Sequence, residues 1–224
     1  MNIKGNLLRI KESLPPHVKL VAVSKTKSND DIMEAYQAGQ RVFGENKVQE
    51  MVEKWEELPK DIEWHMIGHL QRNKVKYMAP FVSLIHGVDS LKLLKEINKQ
   101  ALKVERVIPC LLQVHIAEED TKFGMNDSEL EELLNSDAFK QLTSVKVVGF
   151  MGMATFTEDT KQIEHEFTHL NSIFESLKSK YPSTNNLDLS IRSMGMSGDY
   201  NTAIQCGSTM VRIGSHIFGS RNYN

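Results

Sequence analysis

The strongest constraint on the fold of this chain is a repeated alternation. Eight short runs of apolar, β-prone residues, at 19–24, 41–44, 64–68, 82–88, 110–116, 145–151, 187–193 and 210–214, each lead into a stretch with helix-start chemistry or helical spacing. The helical stretches run from an Asn29/Asp30 cap to Gly39, over 45–57 and 71–78, from Ser90 onward, and over 127–135, 158–181, 198–206 and 215–219. After Ser90 the spacing of Leu91, Leu94, Ile97, Asn98 and Leu102 predicts one buried face. A short amphipathic helix over 3–13, stopped by Pro15-Pro16, precedes the first strand. Eight strands each followed by a helix predict an α/β fold, a (β/α)8 TIM barrel with an extra N-terminal helix. A doubly wound sheet would use fewer strands, and Gly39 and Gly44 form no dinucleotide fingerprint. No linker or low-complexity stretch breaks the rhythm, so residues 1–224 are expected to form a single domain.

Composition narrows the function classes. Apolar and charged fractions of 40% and 25% belong to a soluble globular chain. No apolar run approaches the ~18 residues that span a bilayer. The start, Met1-Asn2-Ile3-Lys4, lacks the apolar core of a secretory signal. Cys110 and Cys206 make neither a disulfide framework nor a metal cluster, which points to the cytoplasm. A net charge of −2 offers no reason to expect a nucleic-acid partner, and no membrane partner is expected.

In a barrel of this kind the chemistry sits at the carboxyl ends of the strands. Those ends hold Lys25, Asn46, the 65–69 segment, Asp89, a loop with Thr121-Lys122-Phe123-Gly124, Met151-Gly152, the 193–197 segment and Arg212-Ile213-Gly214. Lys25 ends the run Val21-Ala22-Val23-Ser24. A lysine in a partly dry site loses its proton more readily and can form a Schiff base, whereas one at a strand end can equally point to water. Two turns carry glycines and hydroxyls before a helix: Ser193-Met194-Gly195-Met196-Ser197-Gly198-Asp199, and Gly207-Ser208-Thr209 through Ser215. Freed backbone N–H groups and serine hydroxyls there suit an anion, though serine-capped turns read the same way. Phosphate-binding barrels hold their phosphate after strands 7 and 8. A phosphate cradle facing a strand-1 lysine suggests a phosphorylated aldehyde, and pyridoxal 5′-phosphate (PLP) carries both handles.

The stretches Val21 to Lys27, Phe43-Gly44-Glu45-Asn46, Trp64-His65-Met66-Ile67-Gly68-His69-Leu70-Gln71, Ser193 to Ser197 and Gly207 to Gly214 resemble the pyridoxal phosphate homeostasis protein family, over about residues 5–221. Members of that family look like the N-terminal barrel of alanine racemase without its β domain. The resemblance implies that Lys25 carries PLP as an internal aldimine. It implies that Ser193, Met194, Gly195, Gly214 and Ser215 surround the phosphate, that Arg212 faces the pyridine nitrogen, and that Asn46 and Met151 line the ring. A guanidinium stays protonated and donates to that nitrogen, so the ring is a poor electron sink. Racemases of this kind recruit a tyrosine from a second domain; here the chain ends at Asn224, and Tyr223 in the tail is no substitute. The expectation is a cytoplasmic, monomeric PLP carrier or regulator in vitamin B6 homeostasis, with apo-enzymes as recipients and no catalytic residues of its own. The alternatives are a PLP-dependent amino-acid racemase and a Schiff-base aldolase acting on a phosphorylated substrate.

Other signals carry less. His165-Glu166-Phe167-Thr168-His169 matches the H-E-x-x-H zinc pattern, but Ile163, Phe167, Leu170, Phe174 and Leu177 give its helix a core face that leaves the histidines off it. No third ligand follows, so no metal site is expected. His65 and His69 share the spacing without sharing a helix; His65 either contacts a cofactor or is a polar residue of the barrel mouth. The charged run 92–106 reads as a solvated helix face, and the eleven methionines as core fillers.

Overall fold

The computed structural model describes residues 2–118 and 123–219, so Thr121, Lys122 and Tyr223 lie outside the described residues. Eight parallel strands close into a barrel in sequence order. They are β1 (Lys19–Val23), β2 (Val42–Glu45), β3 (Glu63–Met66), β4 (Leu84–Val88), β5 (Ile108–Gln113), β6 (Val145–Met151), β7 (Leu187–Met196) and β8 (Met210–Ile213). Around them run α1 (Ile3–Ser13), α2 (Asn29–Gln37), α3 (Val48–Glu57), α4 (Val75–Met78), α5 (Leu91–Lys103), α6 (Asp127–Asn135), α7 (Asp137–Lys140), α8 (Thr160–Lys180), α9 (Tyr200–Gln205) and α10 (Ser215–Phe218). The closing pair joins β1 to β8 with Val21 opposite Arg212. The extra helix α1 is present, and the Asn6 amide donates to the Ile217 carbonyl at 3.1 Å, fastening it to α10.

Closure sorts each strand by parity. Val21, Val42, Leu84, Leu111, Met151 and Met210 fill the barrel interior. Their neighbours Ala22, Phe43, Ile85, Leu112, Phe150 and Val211 pack outward against the helices. Both faces are therefore dry, which is why the strands read as continuous apolar runs.

Three expectations shift. The segment 194–196 is strand, not turn, because β7 runs on past Ser193 to Met196 with Gly195 at φ +97. The buried face of α5 is rotated: Leu93, Leu94, Ile97 and Ala101 are covered, while Leu102 is exposed. Asn98 instead accepts the amides of Thr143 and Ser144. A helix between α6 and β6, α7, was not anticipated; Ser136 caps it through the Phe139 amide, and Phe139 is its buried anchor.

The register between β6 and β7 slips beside Gly149, whose φ is +154 and whose added Cβ would lie 1.9 Å from the Ile191 carbonyl oxygen. That oxygen is backbone and cannot move aside. Gly149→Ala is expected to lower the unfolding free energy by at least ~2 kcal/mol, measured by urea denaturation.

Candidate functional site

A cavity of about 630 Å3 opens where the strands end. Its residues follow from parity. On β1 the inward positions are Val21 and Val23, so the next one past the strand is Lys25; on β2 they are Val42 and Gly44, so the next is Asn46. Val23, Lys25 and Asn46 all line the cavity, together with Arg212 of the neighbouring strand β8. Ser197, Gly198 and Asp199 after β7 and Gly214 and Ser215 after β8 complete one wall. The two turns are tied together, since the Gly214 amide donates to the Ser197 hydroxyl at 3.3 Å. A Cβ at Gly198 would meet nothing within 4 Å, so the backbone there borders open space.

Arg212 is 4% exposed. One terminal nitrogen donates to the Ser193 carbonyl at 2.8 Å and its hydroxyl at 2.7 Å; the other donates to the Gly152 carbonyl at 3.1 Å. These acceptors are neutral. Burial pushes the guanidinium down to about 10, against an opposing pull from Asp199, so it remains a cation at neutral pH. Behind it runs a buried polar chain: Ser193 Oγ lies 3.0 Å from His86 Nδ1, and His86 Nε2 lies 3.0 Å from His65 Nδ1. The chain is satisfied when Arg212 donates to Ser193, Ser193 to His86, and His86 to His65.

The sequence-predicted residues thus divide. Lys25, Asn46, Arg212, Gly214 and Ser215 meet on the cavity wall. Met151 belongs to the interior packing layer, Ser193 lies under Arg212, and Met194 is fully buried on the helix-facing side. Gly195 packs toward α9, where a Cβ would lie 2.7 Å from that of Ala203. None of these four lines the cavity: Met151 ends β6, and Ser193, Met194 and Gly195 are held within β7, whose last residue, Met196, reaches it. His65 is inside the barrel rather than in its mouth, whereas His69 lines the cavity, stacked on Phe123 at 4.3 Å and 3.5 Å from Asp89.

Sequence reasoning missed His86 and Gln113, both buried within apolar strand runs; inward parity was the signal that would have found them. It also missed a buried ion pair on the other face of β2, Glu45 with Lys54 of α3 at 2.8 Å. Burial raises the Glu45 carboxyl to about 7 against the pull of Lys54. In the H-E-x-x-H stretch, Glu166 accepts the Thr155 amide and hydroxyl at 2.6 and 2.7 Å and the Glu118 amide at 3.1 Å. It braces two loops at the mouth, and among the described residues no cluster suited to a metal exists.

Burial pushes His65 down to about 3, with a lesser push from Lys19. Burial, then His65 and Arg212, push His86 well below its ordinary value. Both rings stay neutral in the fold but take protons when it unfolds. Their contribution is therefore complete above the ordinary value of 6.5 and is lost as pH falls toward the folded value. Between about pH 6 and pH 4 the parent should lose stability faster than His65→Gln by about 1.4 kcal/mol per pH unit. Urea titrations across that range check it; parallel curves would mean His65 is protonated in the folded protein.

A family model described as alanine racemase, N-terminal domain, matches residues 1–222. The pyridoxal phosphate homeostasis protein of Pasteurella multocida is 39% identical, with 100% of both chains covered. That of Aquifex aeolicus is 41% identical over 92% of this chain and 88% of its own. PipY from Synechococcus elongatus, solved with PLP bound, superposes with a TM-score of 0.88 at 34% identity, covering 97% of this chain and 100% of that one. An alanine racemase of Clostridium difficile shares the fold, with a TM-score of 0.79 at 14% identity over 100% of this chain and 57% of that one.

Proposed function

The chain belongs to the alanine racemase N-terminal domain family and, within it, to the pyridoxal phosphate homeostasis proteins, and from that premise we propose that it holds PLP in the barrel mouth and serves intracellular PLP homeostasis with little or no turnover. The observation that carries this is the wall on which Lys25 and the buried Arg212 guanidinium share one cavity with the tied turns after β7 and β8. These residues fit the cofactor. Lys25 would supply an amine for the aldehyde; the Ser197–Asp199 and Gly214–Ser215 turns would supply amides and hydroxyls for the phosphate; Arg212 would supply a donor for the pyridine nitrogen. Bound PLP supplies a reactive aldehyde and an electron-withdrawing ring. Arg212 remains protonated and donates rather than accepts, so it does not protonate the ring and electron withdrawal stays weak. Asn46 and Met151 belong to the proposed ring environment, Asn46 from the wall and Met151 from the layer beneath. Ser193 acts through Arg212, and Met194 and Gly195 through the shape of β7 rather than by touching phosphate.

The same reading has the protein work as a cytoplasmic monomer that passes PLP to apo-enzymes. Among the described residues no helix is long and apolar enough to cross a membrane. Incubated with PLP, the protein should turn yellow, and borohydride reduction should fix the cofactor's mass on the peptide holding Lys25. Lys25→Ala should abolish the visible band and the fixed mass while leaving the melting temperature nearly unchanged. Efficient stereospecific racemisation of an amino acid by the pure protein would overturn the carrier reading, and trapping of a sugar phosphate in place of PLP would point to an aldolase.

A further inference from the structure

Beneath Lys25 lies a cluster that the cavity does not explain. Lys54 Nζ donates to the Ser24 carbonyl at 2.9 Å, to Glu45 Oε1 at 2.8 Å and to Glu50 Oε1 at 2.6 Å. The Ser24 hydroxyl donates to the same Glu45 oxygen at 2.5 Å. The Thr26 amide donates to Glu50 Oε1 at 2.6 Å. Ser24 and Thr26 are the two neighbours of Lys25, so both peptide units flanking it are fastened to one turn of α3. Thr26 also sits at φ +63, a left-handed conformation that a β-branched residue rarely adopts. Strain of this kind persists where surrounding contacts over-determine it, and it gathers at functional positions. The bond from Glu50 to the Thr26 amide lies past the end of β1, so it supports the turn rather than the barrel ladder.

We propose that Glu50 and Lys54 are positioning residues for Lys25: by gripping the Thr26 amide and the Ser24 carbonyl they set the backbone turn that presents the Lys25 amine to the cavity for capture of an aldehyde. Glu45 holds Lys54 and Ser24 from below. In the capture step the neutral Lys25 amine forms a C=N double bond to the aldehyde carbon, and its two hydrogens leave with the aldehyde oxygen as water. The identity of the aldehyde as PLP rests on the function proposed above; the grip on the turn does not.

The test compares Glu50→Ala, which removes the acceptor for the Thr26 amide, with Glu50→Gln, whose amide oxygen can still accept it. Three quantities are read: the rate at which the visible band forms with PLP, the affinity for 4′-deoxypyridoxine 5′-phosphate, which lacks the aldehyde, and the methylation of Lys25 by formaldehyde and borohydride in the PLP-free protein. Glu50→Ala should slow capture and Lys25 methylation by about tenfold or more, the scale of one charged hydrogen bond. The same variant should bind the deoxy analogue within about twofold of the parent, and Glu50→Gln should capture within about threefold, since its acceptor is retained. Capture by Glu50→Ala as fast as the parent overturns the proposal. Equal slowing in both variants, or loss of capture matched by equal loss of analogue binding, does so too. If Glu50→Ala fails to fold, amide exchange in the parent decides: a protected Thr26 amide supports the grip, and exchange at the rate of an open loop overturns it. A parent that takes no PLP refutes the cofactor reading alone, and Lys25 methylation then judges the grip.

Discussion

Closure of the sheet between β1 and β8 is the constraint from which the rest follows. A closed parallel ladder leaves no free edge and buries both faces of every strand. It also divides residues into an inward and an outward set with no intermediate choice. Small and branched apolar side chains fill the inward set low in the barrel, where Val21, Val42, Leu84 and Leu111 meet. Above them the same parity brings His65, His86, Ser193 and Arg212 into hydrogen-bonding contact, and above those it brings Lys25 and Asn46 to the opening. The barrel is thus graded along its axis, from apolar packing through a buried polar layer to the cavity.

The polar layer matters because it holds a cation on neutral acceptors. A buried guanidinium is costly unless its donors are met. Here two backbone carbonyls and one hydroxyl meet three of them, and the histidines behind that hydroxyl stay neutral. The acceptors that touch Arg212 are neutral and Asp199 pulls on its charge, in a cavity that the two hydroxyl-bearing turns after β7 and β8 also line. Such a site is pre-organised for an anionic ring compound with an acceptor nitrogen, and it is poorly arranged to push a proton onto that nitrogen.

Much of this was legible in the chain. The rhythm of strands and helices, the helix stop at Gly39 and the core face of α8 all appear because they depend on local spacing, and the structure reproduces them. Lys25, Asn46 and Arg212 were legible because each ends or nearly ends an apolar run. His86 and Gln113 were not, since a lone polar residue inside a strand looks like noise until the opposite strands show what it faces. Met194 and Gly195 were misplaced for a related reason: glycine-rich sequence suggests a loop, yet Gly195 serves here as a bend within a strand that continues past it.

By itself the sequence determined the fold class, the strand-1 lysine and the pair of turns that suit a phosphate, because periodicity and turn chemistry are properties of neighbours in the chain. Only the tertiary structure decided which polar residues meet. Glu45 joins Lys54, Glu50 joins the Thr26 amide, and His86 joins Ser193 across 107 positions of sequence. Those partnerships depend on register and on closure of the ring, and neither is written in any short stretch. Lys25 was visible as a residue; the grip on its two neighbours, and the buried cation on the strand paired beside it, exist only in the folded barrel.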